Sequence, residues 1–310
     1  MQDFNRRKFL QKSLLIGTGL ILLPKLSKGN LLNIENIDIS VVTGNNYFEN
    51  TVKAIEQLGG ISRFASRGTK AGLLVNFTGQ WTRPSTYVNP EIVLAVLKML
   101  NDAGVKEITY LVPPMAGYFK KNKKSAQYES IINTVKSNSG EFKEIEIPKG
   151  VSLNKALIIK DLFDCDVFIN ISINKHHSGT LFTNSLKNYM GATKRETNLF
   201  FHNGPEKKEG QEDMTFLSQC IADINLVRKP DLCISDATEI LKTNGPFGPG
   251  EVIKPGKVYA SSDPVAMDSY GCTFLDYRPE DIYTTVMANK HGIGRIDLKN
   301  LNIKETSLIN

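Results

Sequence analysis

Short apolar runs alternate with helix-spaced patterns along most of this chain, and that alternation restricts the fold more than any other feature. Ile37 to Val42 and Gly72 to Phe77 read as strands. So do Ile108 to Val112, Phe142 to Ile147, Asp166 to Ile171, Leu232 to Ser235 and Lys257 to Ala260. Between them, Phe48 to Leu58 carries apolar residues at helical spacing and stops at Gly59-Gly60. Pro90 to Leu100 is predicted as a helix, with Asn89 as N-cap and proline in its first turn. Another helix is predicted over Ser125 to Val135. A further one starts at Asp263-Pro264, a cap followed by a first-position proline, and runs through Phe274. Strands alternating with helices imply an α/β fold: a mainly parallel sheet with helices on both faces. In such sheets ligands bind beyond the carboxyl ends of the strands. The site is therefore expected in the loops 78–89, 113–118, 172–180, 236–250 and 261–264. The polar stretch 191–212 reads as a lid or binding loop.

The 310 residues suffice for one large domain over 31–310, with one sheet or two lobes left open. The net charge is +6, but residues 1–30 hold six basic residues against Asp3 alone, so the body is near neutral. A near-neutral body argues against nucleic acid as the partner.

The segment 1–30 reads as an export signal. Arg6-Arg7-Lys8-Phe9-Leu10 has the twin-arginine pattern, and Leu14 to Leu23 is an apolar stretch too short for a stable span. The translocase of that route is the expected partner. The expected location is the periplasm or the outer face of the cytoplasmic membrane, with membrane contact only through this N-terminal segment. Leu26 to Asn30 is a poor cleavage site, which leaves cleavage open.

Cys165, Cys220, Cys233 and Cys272 form no C-x-x-C pair, so neither an iron–sulfur cluster nor a zinc knuckle is expected. Buried free thiols are the expected state. An oxidising compartment permits a disulfide, and Cys220 and Cys233 are the nearest pair in sequence.

The richest polar run is Asn174-Lys175-His176-His177-Ser178-Gly179-Thr180, directly after the strongest strand. A helix bearing Asn184, Lys187 and Asn188 is expected beyond Gly179. Imidazole can exchange protons near neutral pH, and a lysine can neutralise an anion or form a covalent adduct. His177 and Lys187 are thus the candidate catalytic residues. Arg83, in Trp81-Thr82-Arg83-Pro84, can fork a carboxylate or phosphate, and Lys175 and Asn188 join it as candidate substrate ligands. His176, His202 and Asp236 are candidate ligands for a divalent metal. Asp263 and Pro264 are assigned a capping role.

Taken in order, these runs resemble domain-of-unknown-function family 362. The resemblance spans most of 36–294. It rests on Leu74-Val75-Asn76-Phe77, Asn174 to Gly191, His202, Ile221 to Asn225, Pro230 to Ala237, Gly245 to Gly250 and Ser262 to Asp268. The family often carries an iron–sulfur label, which the unclustered cysteines of this chain do not support. A fainter resemblance is to the N-terminal domain of nickel-dependent lactate racemase. That domain has a Thr-Arg-Pro loop, matched by Thr82-Arg83-Pro84, and a catalytic His ten residues before a cofactor-bearing Lys, matched by His177 and Lys187. Its second catalytic His has no counterpart, since Pro113-Pro114-Met115-Ala116 stands in that place. The resemblance implies Arg83, His177 and Lys187 facing one cleft.

Three readings follow. The first is an exported enzyme on a small anionic substrate, with Arg83 fixing the anion, His177 moving protons and Lys187 stabilising negative charge. The second is a non-catalytic cofactor-binding or redox-accessory protein. The third is a structural envelope protein, which would not require polar runs at strand ends.

Overall fold

The computed structural model describes residues 36–77, 85–205 and 213–308, all within the compact unit Asn36–Asn310. Its strands in chain order are β1 Ile39–Thr43, β2 Lys70–Val75, β3 Glu107–Tyr110, β4 Lys136–Ser137, β5 Phe142–Glu146, β6 Lys155–Ile159 and β7 Val167–Ile173. They continue with β8 Lys175–His177, β9 Leu181–Thr183, β10 Leu232–Ala237, β11 Ile240–Leu241, β12 Val252–Ile253, β13 Lys257–Ser261 and β14 Ile303–Ser307. The helices are α1 Tyr47–Gln57, α2 Pro90–Asp102, α3 Glu129–Ile132, α4 Asp161–Asp164, α5 Ser185–Asn188, α6 Arg195–Asn203, α7 Met214–Ile224, α8 Pro264–Gly271 and α9 Tyr283–Lys290.

Eight strands form the main sheet, in the order β14-β1-β13-β10-β7-β2-β3-β4. The pairs from β10 to β4 are parallel, as is β1 with β14. Strand β13 runs antiparallel to both neighbours, with Tyr259 opposite Val41 and Ser235. The sheet is mainly parallel, as expected, but mixed, and the antiparallel direction of β13 is not marked in the sequence. The physical reason is that a strand covered on both faces needs apolar residues on both, whichever way it runs. Lys257-Val258-Tyr259-Ala260-Ser261 carries no mark of its direction.

Side chains alternate across this sheet with period two. Leu73, Val75, Ile169, Ile171, Ile173, Leu232 and Ile234 face α1 and α2 in one core. Leu74 and Phe168 face the opposite side, where α7, Val265 of α8 and Ala288 of α9 complete a second core. Sequence capping signals set the helix starts. Asn46, Asn89, Asp213 and Asp263 each accept a backbone N–H from the first turn of α1, α2, α7 and α8.

Several local expectations change. The helix expected over Ser125–Val135 is a 3₁₀ turn at Lys123–Tyr128, then the single turn α3, then edge strand β4. Strand β5 exists but lies outside the main sheet, paired with β6 in a hairpin. The loop expected over 191–212 contains α6, because Thr197 and Phe201, four residues apart, bury one helical face. The histidine run is not a loop either: β8 and β9 form a hairpin, with Lys175 opposite Thr183 and His177 opposite Leu181.

Arg6 and Arg7 lie outside the described residues. No helix among the described residues is long and apolar enough to cross a membrane, so nothing among them supports the expected membrane contact, and the N-terminal segment on which it rested lies outside them. All four cysteines are free thiols; Cys220 lies in α7 and Cys233 in β10.

Candidate functional site

The site begins with the polar face of β7. Asn170, Ser172 and the following Asn174 alternate with the isoleucines and are fully buried. Burying amides is costly unless they find partners, and here each of the three side chains makes at least two hydrogen bonds, though Asn174 does so through Nδ2 alone and its Oδ1 is left without one among the described residues. Asn170 Nδ2 donates to the Ser185 carbonyl at 2.9 Å, and Ser172 Oγ donates to Asn184 Oδ1 at 2.6 Å. Ser235 Oγ donates to the same Asn184 oxygen at 2.7 Å. Asn174 and Asn184 both donate to the Tyr259 hydroxyl, at 3.0 and 2.9 Å. From α8, the buried Asp268 accepts the N–H groups of Ser185 and Leu186, at 2.8 and 3.2 Å. These bonds hold the single helical turn of α5 against the sheet. Asn188 adds to them: its Nδ2 donates to Asn170 Oδ1 at 2.7 Å and to the Leu74 carbonyl at 3.2 Å. Most of its donor capacity thus serves the frame.

The strand geometry of β8 then sorts the basic run. Alternate residues of a strand face opposite ways, so Lys175 and His177 share one side and His176 takes the other. His176 accepts the Gly245 N–H on Nδ1 at 3.0 Å, and Ser178 N–H donates to the Gly245 carbonyl at 3.2 Å. A side chain at Gly245 would lie 1.8 Å from the His176 carbonyl oxygen, so only glycine allows this approach. The loop 244–250 is thereby fastened to the back of the hairpin.

On the other side is a cavity of about 580 Å³. Lys175, His177, Lys187, Asn188 and His202 line it, so the structure brings five of the predicted site residues together. Val75 and Asn76 line it at the end of β2, and Val112 two residues beyond β3. Met190, Pro246 and Phe247 form apolar wall, and no Asp or Glu is among the described lining residues.

Lys175 is 2% exposed, and its Nζ donates to the Thr86 carbonyl at 2.7 Å. Burial, helped by the charge of Lys187, pushes its ammonium down to about 7. Burial is also the main force on His177, with Lys187, Lys175, His202 and His176 adding to it, and together they push the imidazolium down to about 2. His177 Nδ1 accepts the Gly179 N–H at 3.0 Å. Its neutral ring therefore carries the proton on Nε2 and is a donor there. That geometry opposes the expected role of His177 as a proton mover and makes it a hydrogen-bond donor. Leu181, its partner across the hairpin, sits at φ 63°, a strained conformation for a branched side chain.

Asp236, His176, Asp263 and Pro264 lie elsewhere. Arg83 lies outside the described residues. Asp236, at the end of β10, accepts the N–H of Asn89 at 2.6 Å and of Thr238 at 2.9 Å. Burial pushes its carboxyl up to about 6 against the lowering effect of those bonds. Asp263 accepts the Val265 and Ala266 N–H groups, with Pro264 as the first residue of α8. His202 is on α6 and reaches the cavity, while His176 faces Gly245 and Asp236 faces Asn89. Among the described residues no group of three His, Cys, Asp or Glu could hold a metal ion. The donor set expected for a divalent metal does not come together, and no step is assigned to one.

Sequence reasoning missed the wall formed by Met190, Asn198 and Phe247, and the anchoring role of Asn170, Ser172 and Asn184. The available signal was amide and hydroxyl residues at alternate positions in a strand otherwise too apolar to face water.

Comparison with known proteins places the chain. The thylakoid-associated protein sll1697 of Synechocystis sp. is 25% identical over 244 residues, covering 77% of this chain and 73% of that protein. Among solved structures, the lactate racemase apoprotein from Thermoanaerobacterium thermosaccharolyticum superposes with a TM-score of 0.48 at 15% identity, over 78% of this chain. A protein from Thermotoga maritima does so with a TM-score of 0.47 at 14% identity, over 76%. The chain spans 58% and 60% of the lengths of those two proteins. Residues 72–273, well over half of the chain, match the profile of the family described as domain of unknown function DUF362, and the chain belongs to that family.

Proposed function

We propose that the cavity binds a small organic anion, with Lys175, Lys187 and the His177 Nε2–H as its donors. The observation that carries this reading is the crowding of basic groups: Lys187 disfavours the charge on Lys175, and both lysines disfavour charge on His177. An anion placed among them reverses that balance, because each cation gains a counter-charge. The volume of about 580 Å³ falls within the roughly 300–1,000 Å³ of small-molecule sites. Val75, Val112, Met190 and Phe247 favour a ligand with an apolar body over a bare inorganic ion. The group poised to move a proton near neutral pH is Lys175, while His177 stabilises negative charge by hydrogen bonding. The Arg6-Arg7 run supports action after twin-arginine export.

The test is thermal unfolding with graded concentrations of phosphate, lactate, pyruvate and longer carboxylates. The account expects saturable stabilisation, about 2.7 kcal/mol at a hundredfold excess over Kd, and its loss in Lys187→Ala. The anion binds the protonated form of Lys175, so affinity is greatest below about pH 7 and falls as pH rises through it. Absence of saturable stabilisation by every anion tested would overturn the reading.

A further inference from the structure

Lys175 differs from an ordinary anion-binding lysine in its partner. Among the described residues it has no carboxylate beside it, and its Nζ hydrogen bond goes to the neutral Thr86 carbonyl. That bond accepts one N–H and leaves the lone pair of a neutral amine pointing elsewhere. A second cationic side chain, Lys187, lines the same cavity, an arrangement that activates amine nucleophiles. Two residues along the same strand face, His177 lines the same cavity, with Nδ1 occupied by the Gly179 N–H and Nε2 left as the donor. An amine and an N–H donor in one cavity can address one carbonyl group, the amine at carbon and the donor at oxygen.

We propose that Lys175 forms an imine with the carbonyl carbon of a small oxo-carboxylate held in this cavity, an inference that rests on the anion-site reading. Lys187 holds the carboxylate, and the His177 Nε2–H bonds to the carbonyl oxygen. The Lys175 amine adds to the carbonyl carbon, forming a C–N bond and opening the C=O double bond to give a carbinolamine. The carbinolamine C–O bond then breaks, and the oxygen leaves as water with the two protons the amine has shed. The imine nitrogen takes one proton from solvent to become the iminium. No oxidant or reductant is consumed.

The experiment treats the full chain with pyruvate or 2-oxoglutarate and sodium cyanoborohydride, then maps the reduced adduct by peptide mass spectrometry. Lactate serves as a control that offers the same carboxylate without a carbonyl. The expected result is an adduct concentrated on Lys175, absent with lactate and lost in Lys175→Met. Should that variant fail to fold, mapping of the unaltered chain decides alone. Two results overturn the imine while leaving the anion site standing: oxo-acids stabilise the protein yet leave no adduct, or the adduct maps to Lys187 or spreads over surface lysines. Absence of stabilisation by both oxo- and hydroxy-acids overturns the anion site, and this inference with it.

Discussion

Two buried polar regions meet at the end of β7, and they are built on opposite principles. In the frame, Asn170, Ser172, Asn174, Asn184 and Tyr259 are uncharged and bonded to one another or to backbone. In the cavity, Lys175, His177, Lys187 and His202 are basic and crowded, and two of them are pushed away from their charged forms. One peptide bond separates the regions: Asn174 belongs to the frame and Lys175 to the cavity. Satisfied neutral networks contribute stability and a unique geometry. Crowded charges detract from stability and persist where function requires them. Substitutions in the two regions should therefore act with opposite sign.

The largest effect is expected in the frame. At Gly271 an added Cβ would lie 2.3 Å from the Tyr259 hydroxyl and 2.8 Å from Asn184 Nδ2. Gly271→Ala should cost about 3 kcal/mol in denaturant unfolding, through overpacking of a buried network. Asp268→Ala, which orphans two backbone N–H groups, should cost a similar amount. Losses below about 1 kcal/mol at both positions would break the contrast.

An intermediate effect concerns acid. The folded-state imidazolium of His177 is depressed to about 2, against 6.5 when unfolded. Between those values the unfolded chain takes up a proton that the folded one refuses, so stability falls as pH falls through this window. The slope is about 1.4 kcal/mol per pH unit for one group. Asp236, raised to about 6, offsets it between about pH 6 and pH 4, because the folded state then holds a proton the unfolded one has released. His177→Gln leaves the Asp236 contribution unopposed, so relative to the unaltered chain stability should rise as pH falls between about pH 6 and pH 4. An unchanged curve would remove His177 from the crowded set.

The smallest effect has the opposite sign from the first. Lys175→Met removes a buried lysine held near pH 7, and should stabilise the ligand-free protein by roughly 1 kcal/mol while weakening anion binding at least tenfold. A destabilised variant with intact binding would place Lys175 in the frame instead.

Much of this was legible in the sequence, and the failures share causes. The strands at Ile39–Thr43, Lys70–Val75 and Val167–Ile173, and the caps of α2 and α8, follow from periodicity and capping chemistry. The direction of β13 does not, because burial on both faces erases it. Lys175, His177, Lys187, Asn188 and His202 could be named from residue type and position after a strand. Their grouping apart from His176 could not, since it depends on His176 and His177 lying in a strand rather than a loop. Alternation then sends two adjacent histidines to opposite sides, and the expected metal set dissolves. Asn170 and Ser172 look like blemishes in an apolar strand until α5 is seen to need partners.

The most direct test of the central claim is the titration of Lys175 itself, followed by NMR through a ¹³C-labelled side chain, with and without pyruvate or phosphate. The account predicts a midpoint near 7 in the free protein, moving upward when the anion binds. A midpoint in the ordinary lysine range near 10.4, unmoved by every anion tested, would contradict it.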